Sequence, residues 1–169
     1  MSQKNRILII VGVLAIVAIA LGLLGWIQTR PPVPTTEPEP GRIHVYVDGS
    51  FAANVDPTQV SALPNASFKD AEKDKTQEGP RLADVILLYV DESKLQSDSS
   101  ISVIGVQPSN DQTKEVTLTW GQVTDPASNV ILDYSAAGDS LKLVSTLPGL
   151  DTRDDWVQGI QRIEVRTHP

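Results

Sequence analysis

The sequence GPRLADVILLYV at residues 79–90 decides the fold class, because it carries the main helix pattern of the chain. Its apolar residues recur at i, i+3, i+4 and i+7, the spacing of one helix face: Leu82, Val85, Ile86 and Tyr89. Gly79-Pro80 is predicted to open this helix, and Asp84 lies near the positive end of its dipole. We therefore predict the main core helix here.

Strand patterns surround the helix. RIHVYVDGSF at 42–51 alternates apolar and polar residues up to Asp48-Gly49, a strong hairpin signal, which predicts a two-stranded start. Five β-rich runs follow the helix: ISVIGV (101–106), EVTLTW (115–120), NVILDY (129–134), LKLVS (141–145) and IQRIEVRT (160–167). Several strands with few short helices predict an α+β domain around a mixed sheet.

Two segments between the hairpin and the main helix are harder to assign. Asp56-Pro57 is a plausible helix start, with proline at the first helical position, and predicts a two-turn helix ending before Pro64. The stretch from Ser67 to Glu78 alternates charges without an apolar stripe. It is interpreted as a solvated loop or an edge strand without chemistry.

The N-terminal part of the chain differs in composition from the rest. From Ile7 to Ile27 it contains 21 uncharged residues, and a membrane-crossing helix needs about 20. Lys4 and Arg6 precede this stretch, so the positive-inside bias predicts a cytoplasmic N-terminus. Trp26 lies where an indole ring favours the interfacial layer. A cleaved signal peptide is the alternative, but its shorter apolar core and small-residue cleavage site are not evident.

This pattern predicts a single-pass protein of the plasma membrane. Residues 1–6 are cytoplasmic, 7–27 form the transmembrane helix, 28–41 are a proline-rich linker, and 42–169 form one extracytoplasmic domain. The linker contains five prolines between Arg30 and Gly41 and should run as an extended spacer.

The charge and cysteine content exclude several functions. Residues 31–169 hold all 21 acidic residues and 11 of the 14 lysines and arginines, a net charge of −10. A domain this acidic repels a phosphate backbone, so nucleic acid is not an expected partner. The chain contains no cysteine, which excludes disulfides, thiolate metal sites and a cysteine nucleophile.

No motif predicts a catalytic or metal site. His44 and His168 lack a metal-binding companion, and a lone strand histidine usually faces solvent or accepts a local hydrogen bond. The acidic turn with Asp151, Asp154 and Asp155 lacks the glycine and distal glutamate of a calcium loop. No serine lies in a G-x-S-x-G motif. Carboxylate pairs are too numerous to single one out.

Four large aromatic side chains are candidates for lining a pocket, although such residues more often pack in a core or at its rim. They are Trp120, Trp156, Tyr89 and Tyr134.

As an ordered pattern, residues 43–166 resemble the sulfite-oxidase-like family of molybdopterin-binding oxidoreductase domains. The resemblance is carried by VDGSF, LPNASF, GPRLADVILLYV, ISVIGV, EVTLTWGQV, NVILDYSAAGDSLKLVSTLPG and WVQGIQRIEV. The matching positions are mostly packing residues, which support fold more than activity. They are Gly79, Leu82, Asp84, Val85, Gly138, Leu143, Trp156, Val157, Ile163 and Val165.

The resemblance implies a molybdenum-ligating cysteine between LPNASF and GPRL, where this chain has Phe68, Lys69, Asp70 and Ala71. Catalytic relatives also tend to carry a basic residue at the position of Gln158. Few bases are grouped along the chain to meet the cofactor phosphate.

We therefore expect a membrane-anchored, non-catalytic binding or accessory module with no cofactor and an unknown protein or small-molecule partner. An active molybdopterin-dependent oxidoreductase, with Asp70 or another oxygen donor facing the metal, is one alternative. A cell-surface structural domain is the other.

Overall fold

A five-stranded mixed sheet organises the domain, and it brings together segments from opposite ends of the sequence. The computed structural model describes residues 37–70, 72, 74–134 and 140–168. The strands are β1 (His44–Val47), β2 (Ser50–Asn54), β5 (Ser100–Val106), β6 (Thr113–Thr119) and β9 (Ile160–Arg166). Their order is β2-β1-β9-β5-β6. Only the β1–β9 pair is parallel, so the predicted mixed α+β architecture is confirmed.

Two hairpins complete the strand set. β3 (Asn65–Lys69) pairs with β4 (Thr76–Pro80), and β7 (Ile131–Tyr134) pairs with β8 (Leu141–Val144). β4 and β7 also lie against each other, and a single bridge joins Arg81 to Ile131. The strands predicted after the main helix are therefore confirmed, with boundaries shifted by one or two residues.

The helices are short, and two have clear side-chain caps. The α-helices are α1 (Pro57–Ser61), α2 (Leu82–Leu87) and α3 (Trp120–Thr124), with 3₁₀ turns at Glu92–Lys94 and Pro126–Ser128. Asp56 accepts from the Thr58 N–H at 2.9 Å, which confirms the predicted start of α1. Thr119 and Gln122 form a reciprocal capping box at α3, a helix that the sequence analysis missed.

The main helix begins later than predicted. Gly79 and Pro80 are not its opening residues, because they end β4 and pair across the hairpin. A Cβ on Gly79 would lie 2.0 Å from the Leu132 carbonyl oxygen, so the absence of a side chain at Gly79 permits the close approach of β4 to β7. Tyr89 lies beyond the end of α2.

Of the two interpretations given for Ser67–Glu78, the solvated loop is wrong for half of the stretch, because residues 67–69 lie in β3 and residues 76–78 lie in β4. The alternation of apolar and polar residues that is typical of a strand is not evident there, because many of the residues are charged. Asp70 and Gln77 are both 4% exposed, although each is polar. The edge-strand interpretation is the one that the structure favours.

The core lies on one face of the large sheet. Val45, Ile101, Val103, Ile163 and Val165 project from this sheet and are at most 1% exposed. They join the buried side chains of α2 and of the β7–β8 hairpin in one cluster, and Ala66 and Phe68 of β3 pack against it. The alternate residues of β1 and β9 therefore face the opposite side, since successive side chains of a strand alternate.

Asp48 joins the first hairpin to the end of the last strand. Its carboxylate accepts from the Thr167 N–H at 2.9 Å and from the Thr167 hydroxyl at 2.8 Å. These two hydrogen bonds hold the pKa of Asp48 below its ordinary value.

The predicted membrane anchor lies outside the described residues, as do Ala71 and Gly138. The part of the chain that the structure does describe has no helix long and apolar enough to cross a membrane. The described residues belong to the compact unit Thr35–Pro169.

Candidate functional site

A groove of about 850 Å³ lies at the ends of β1 and β9 where both strands begin. Its volume falls within the roughly 300 to 1,000 Å³ of small-molecule sites. The apolar part of its lining comes from the large sheet, from α1 and its preceding loop, and from β8: Ile43, Val55, Val60, Ile104, Leu141 and Ile160. We call this cavity the groove.

The polar side of the groove follows from strand alternation. Val45 and Ile163 enter the core, so His44, Tyr46 and Arg162 must face the other side of the sheet. The parallel register places His44 beside Arg162. All three of these outward-facing residues line the groove.

Aromatic rings surround the polar side. The Phe51 ring lies edge-on to His44, with centroids 6.2 Å apart, and edge-on to Tyr46, with centroids 5.7 Å apart. The guanidinium carbon of Arg162 lies 3.9 Å from the centroid of the Tyr46 ring, which is a cation–π geometry. Tyr46 therefore fixes one face of this guanidinium group.

Glu164 holds Arg162 from another direction. Its Oε2 atom lies 2.7 Å from Nη2 of Arg162, while its Oε1 lies 3.2 Å from Nε of Arg166. Arg162 Nε is enclosed without a hydrogen-bond partner. Within the described ranges, no side chain or carbonyl accepts from Arg162 Nη1. A positioned guanidinium group, whose Nη1 donors are not engaged by a described residue, therefore lies at the groove.

Arg42 and His44 form the entrance side. Arg42 Nε lies 3.7 Å from Glu39 Oε2, and both side chains are about half exposed, so this ion pair is weak. His44 Nε2 donates to the Glu39 carbonyl oxygen at 2.8 Å. The local hydrogen bond expected for His44 is present, but the ring is the donor and not the acceptor. His168 is exposed at the end of the described chain.

The residues that line the groove differ in charge from the rest of the domain. Among the described residues that line it, two are arginines and none is Asp or Glu, although the chain contains 21 acidic residues. The sequence does not reveal this local composition, because the lining residues come from distant segments.

A smaller cavity of about 320 Å³, called the cleft, lies next to the groove and shares Tyr134, Ser140 and Gly159 with it. Lys142 Nζ lies 3.0 Å from Asp133 Oδ2, 2.8 Å from Gln77 Oε1 and 5.3 Å from the centroid of the Trp156 ring. The side-chain oxygen of the buried Gln77 thus accepts a hydrogen bond from the Lys142 ammonium group.

Asp70, Trp156 and Gln158 meet at the cleft, although they are far apart in sequence. The resemblance to molybdopterin-binding domains singled out all three. Lys75, Lys142 and Arg153 also line the cleft, so bases that are scattered along the sequence are grouped by the fold. Asp133 and Asp70 offset much of their charge.

The donor set at the cleft does not fit a molybdopterin centre. Soft thiolate ligands are absent because the chain has no cysteine. Asp70 Oδ1 already accepts from the Glu72 N–H at 2.8 Å, which caps a turn. Phe68 packs against the core, and Lys69 pairs with Asp74 at 2.5 Å.

The acidic turn makes local hydrogen bonds. Asp151 Oδ1 accepts from the Gly149 N–H at 3.1 Å, and Asp155 Oδ2 accepts from the Thr152 hydroxyl at 2.5 Å. Within the described part of the chain, no three His, Asp or Glu residues are grouped to hold a metal ion.

The four candidate aromatic residues divide into two pairs. Tyr134 lines both cavities and is 45% exposed, while Trp156 lines the cleft and is 2% exposed. Trp120 packs in the core, and the Tyr89 hydroxyl accepts from the Asp56 N–H at 2.9 Å, so neither lines a described cavity. Tyr46 was missed. Its alternation with Val45 and Val47 is the signal that predicts its outward direction.

Comparison with known proteins identifies no family for this chain. No family model matches the chain, and no curated protein matches it significantly. The resemblance to sulfite-oxidase-like domains therefore stays a prediction.

Proposed function

We propose that this domain is a non-catalytic binding or accessory module that takes a small organic molecule in the groove. The observation that carries the proposal is the combination of a cavity of about 850 Å³, an apolar floor and aromatic side chains. Small-molecule sites share this composition, with a few polar groups that fix orientation. Tyr134, which lines the groove and is 45% exposed, supplies a ring face on which a planar ligand can stack.

The polar groups of the groove support binding more than catalysis. The described lining of the groove holds no carboxylate, and its arginines stay protonated, so neither residue type supplies a general base there. His44 donates its Nε2 proton to the Glu39 carbonyl oxygen, and Arg162 is held by Tyr46 and Glu164. These groups are arranged to hold a ligand in place.

The proposal includes a tether to the plasma membrane, with the domain outside the cytoplasm. The uncharged residues 7–27, the preceding Lys4 and Arg6, and the proline-rich linker support it. Retention in the membrane pellet after alkaline carbonate extraction is expected. Protease added outside intact cells should remove the domain, and release by carbonate would contradict the tether.

Binding can be tested with 2-naphthamide, an uncharged planar probe, by saturation-transfer-difference NMR on the full-length protein in lipid nanodiscs. Empty nanodiscs provide the blank. Ile104→Trp should fill the groove and abolish the signal, because Ile104 lines it. Ser102→Trp is the matched control, since Ser102 is two residues away on the same strand and outside the groove lining.

A signal in the natural protein and in Ser102→Trp, lost in Ile104→Trp, would support the binding module. Absence of a signal from the natural protein, both with this probe and with its carboxylate analogue 2-naphthoate, would contradict it and favour a cell-surface structural domain.

An active molybdopterin-dependent oxidoreductase is the second candidate. The meeting of Asp70, Trp156 and Gln158 at the cleft favours it, while the missing thiolate and the engaged Asp70 carboxylate weigh against it. Metal and pterin analysis of the protein purified from its native membrane separates the two. Stoichiometric molybdenum and pterin would replace the binding module with an enzyme.

A further inference from the structure

The groove is electrostatically unlike the domain that contains it, and this difference indicates the ligand's charge. Its described lining carries two guanidinium groups and no carboxylate, in a chain with a formal net charge of −7. An acidic surface needs no arginine for solubility, whereas a cavity that holds an anion needs local positive charge. The arginines are placed where a ligand would meet them.

Arg162 has the features of a preorganised anion receptor. Tyr46 covers one face of its guanidinium group at 3.9 Å, and Glu164 fixes Nη2 at 2.7 Å. A side chain held in this way loses little rotamer freedom when a ligand arrives. The planar group has five N–H donors and matches the two oxygens of a carboxylate. Nη1 is not engaged by any residue that the structure describes.

Arg42 provides a second, weaker positive charge at the same groove. Its ion pair with Glu39 is long, at 3.7 Å, and its side chain is 47% exposed. Exposed ion pairs contribute little, so a ligand carboxylate can compete with Glu39 for this guanidinium group. Beside the two arginines, Ile104 and Ile160 offer an apolar surface for the rest of the ligand.

We infer that the groove selects a small organic carboxylate with an apolar or aromatic body, and that Arg162 binds the carboxylate. This inference rests on the proposed binding function. It adds a charge requirement that the volume and apolar floor of the groove do not impose.

The test compares 2-naphthoate with 2-naphthamide, which share a ring system and differ in charge. Affinities are measured by NMR titration on the full-length protein in nanodiscs of uncharged lipid. The natural protein should bind 2-naphthoate roughly tenfold to a hundredfold more tightly, as expected for a charge-assisted hydrogen bond. Arg162→Gln should remove most of the preference for 2-naphthoate over 2-naphthamide, and Arg42 should account for the remainder.

Arg166→Gln is the matched control. Arg166 pairs with the same Glu164 from the same strand, but it does not line the groove, so the preference for 2-naphthoate should persist. Arg162→Lys keeps the charge beside Glu164 and loses the planar fork, so it should show an intermediate preference. If Arg162→Gln fails to fold, Arg162→Lys tests the same role of Arg162. Arg42→Gln should weaken the preference less than Arg162→Gln.

The outcomes separate the two proposals. If neither probe binds the natural protein, the proposed function itself fails. If 2-naphthamide binds and 2-naphthoate binds no more tightly, the binding module stands and the charge selection is refuted. A preference that stays as large as in the natural protein in both Arg162→Gln and Arg162→Lys refutes the role of Arg162.

Discussion

Replacement of Gly79 by alanine tests the close packing of β4 against β7. The added Cβ would lie 2.0 Å from the carbonyl oxygen and 2.8 Å from the carbonyl carbon of Leu132. Real Cβ contacts essentially never fall below 3.0 Å, so the β7 backbone must move by roughly 1 Å. Leu132 is fully buried and pairs with the fully buried Leu143, so this movement would disturb β8 as well.

Overpacking in a core typically costs about 1 to 3 kcal/mol. The obstacle here is backbone and not the end of a flexible side chain, so we expect a loss of about 3 kcal/mol in the free energy of unfolding. Urea unfolding of the full-length protein in nanodiscs measures it through tryptophan fluorescence, since Trp120 and Trp156 are both buried.

Gly121→Ala is the control for this experiment. Its Cβ would meet the Ser97 carbonyl oxygen at 3.1 Å, which a small shift relieves, and alanine is favoured over glycine in a helix by up to about 1 kcal/mol. The net change should be close to zero. Equal stabilities of the two variants would refute the proposed role of Gly79 in the packing of β4 against β7.

Two further predictions concern hydrogen bonds that join distant segments. The pKa of Asp48 is lowered below 3.8 by its hydrogen bonds to Thr167, so its stabilising contribution is complete above pH 3.8 and is lost as the pH falls through the folded-state pKa. Asp48→Asn should therefore flatten the acid side of the stability curve measured by urea unfolding at decreasing pH, and an unchanged acid side would contradict this role. Tyr89→Phe should cost about 1 kcal/mol by removing the acceptor of the Asp56 N–H, and an unchanged urea midpoint would contradict this role.

The fold was predictable where a residue pattern is local. β5 alternates buried and less buried residues along its whole length, and this period is plain in ISVIGV. The apolar face of α2 is equally clear, with Leu82, Val85 and Ile86 at most 1% exposed. Local alternation and helical spacing were sufficient for these elements.

Prediction failed where distant contacts decide the structure. The Gly79-Pro80 pair is typical of a helix start, yet the approach of Leu132 determines its role. Gln77 is buried because Lys142 satisfies it, and no pattern within β4 contains that information. Alternation in β1 predicted the outward direction of Tyr46, but its contact with Arg162 depends on the pairing of the first and last strands.

The position of β9 has a consequence for how the domain folds during synthesis. This strand comes last in the sequence, yet it lies in the middle of the five-stranded sheet, between β1 and β5. The hairpin of β1 and β2 and the hairpin of β5 and β6 cannot join through the sheet until β9 has emerged. The Asp48–Thr167 contact then closes a loop of 119 residues. Since non-local pairing carries a loop-closure cost, we expect slow folding that is completed only after β9 is available.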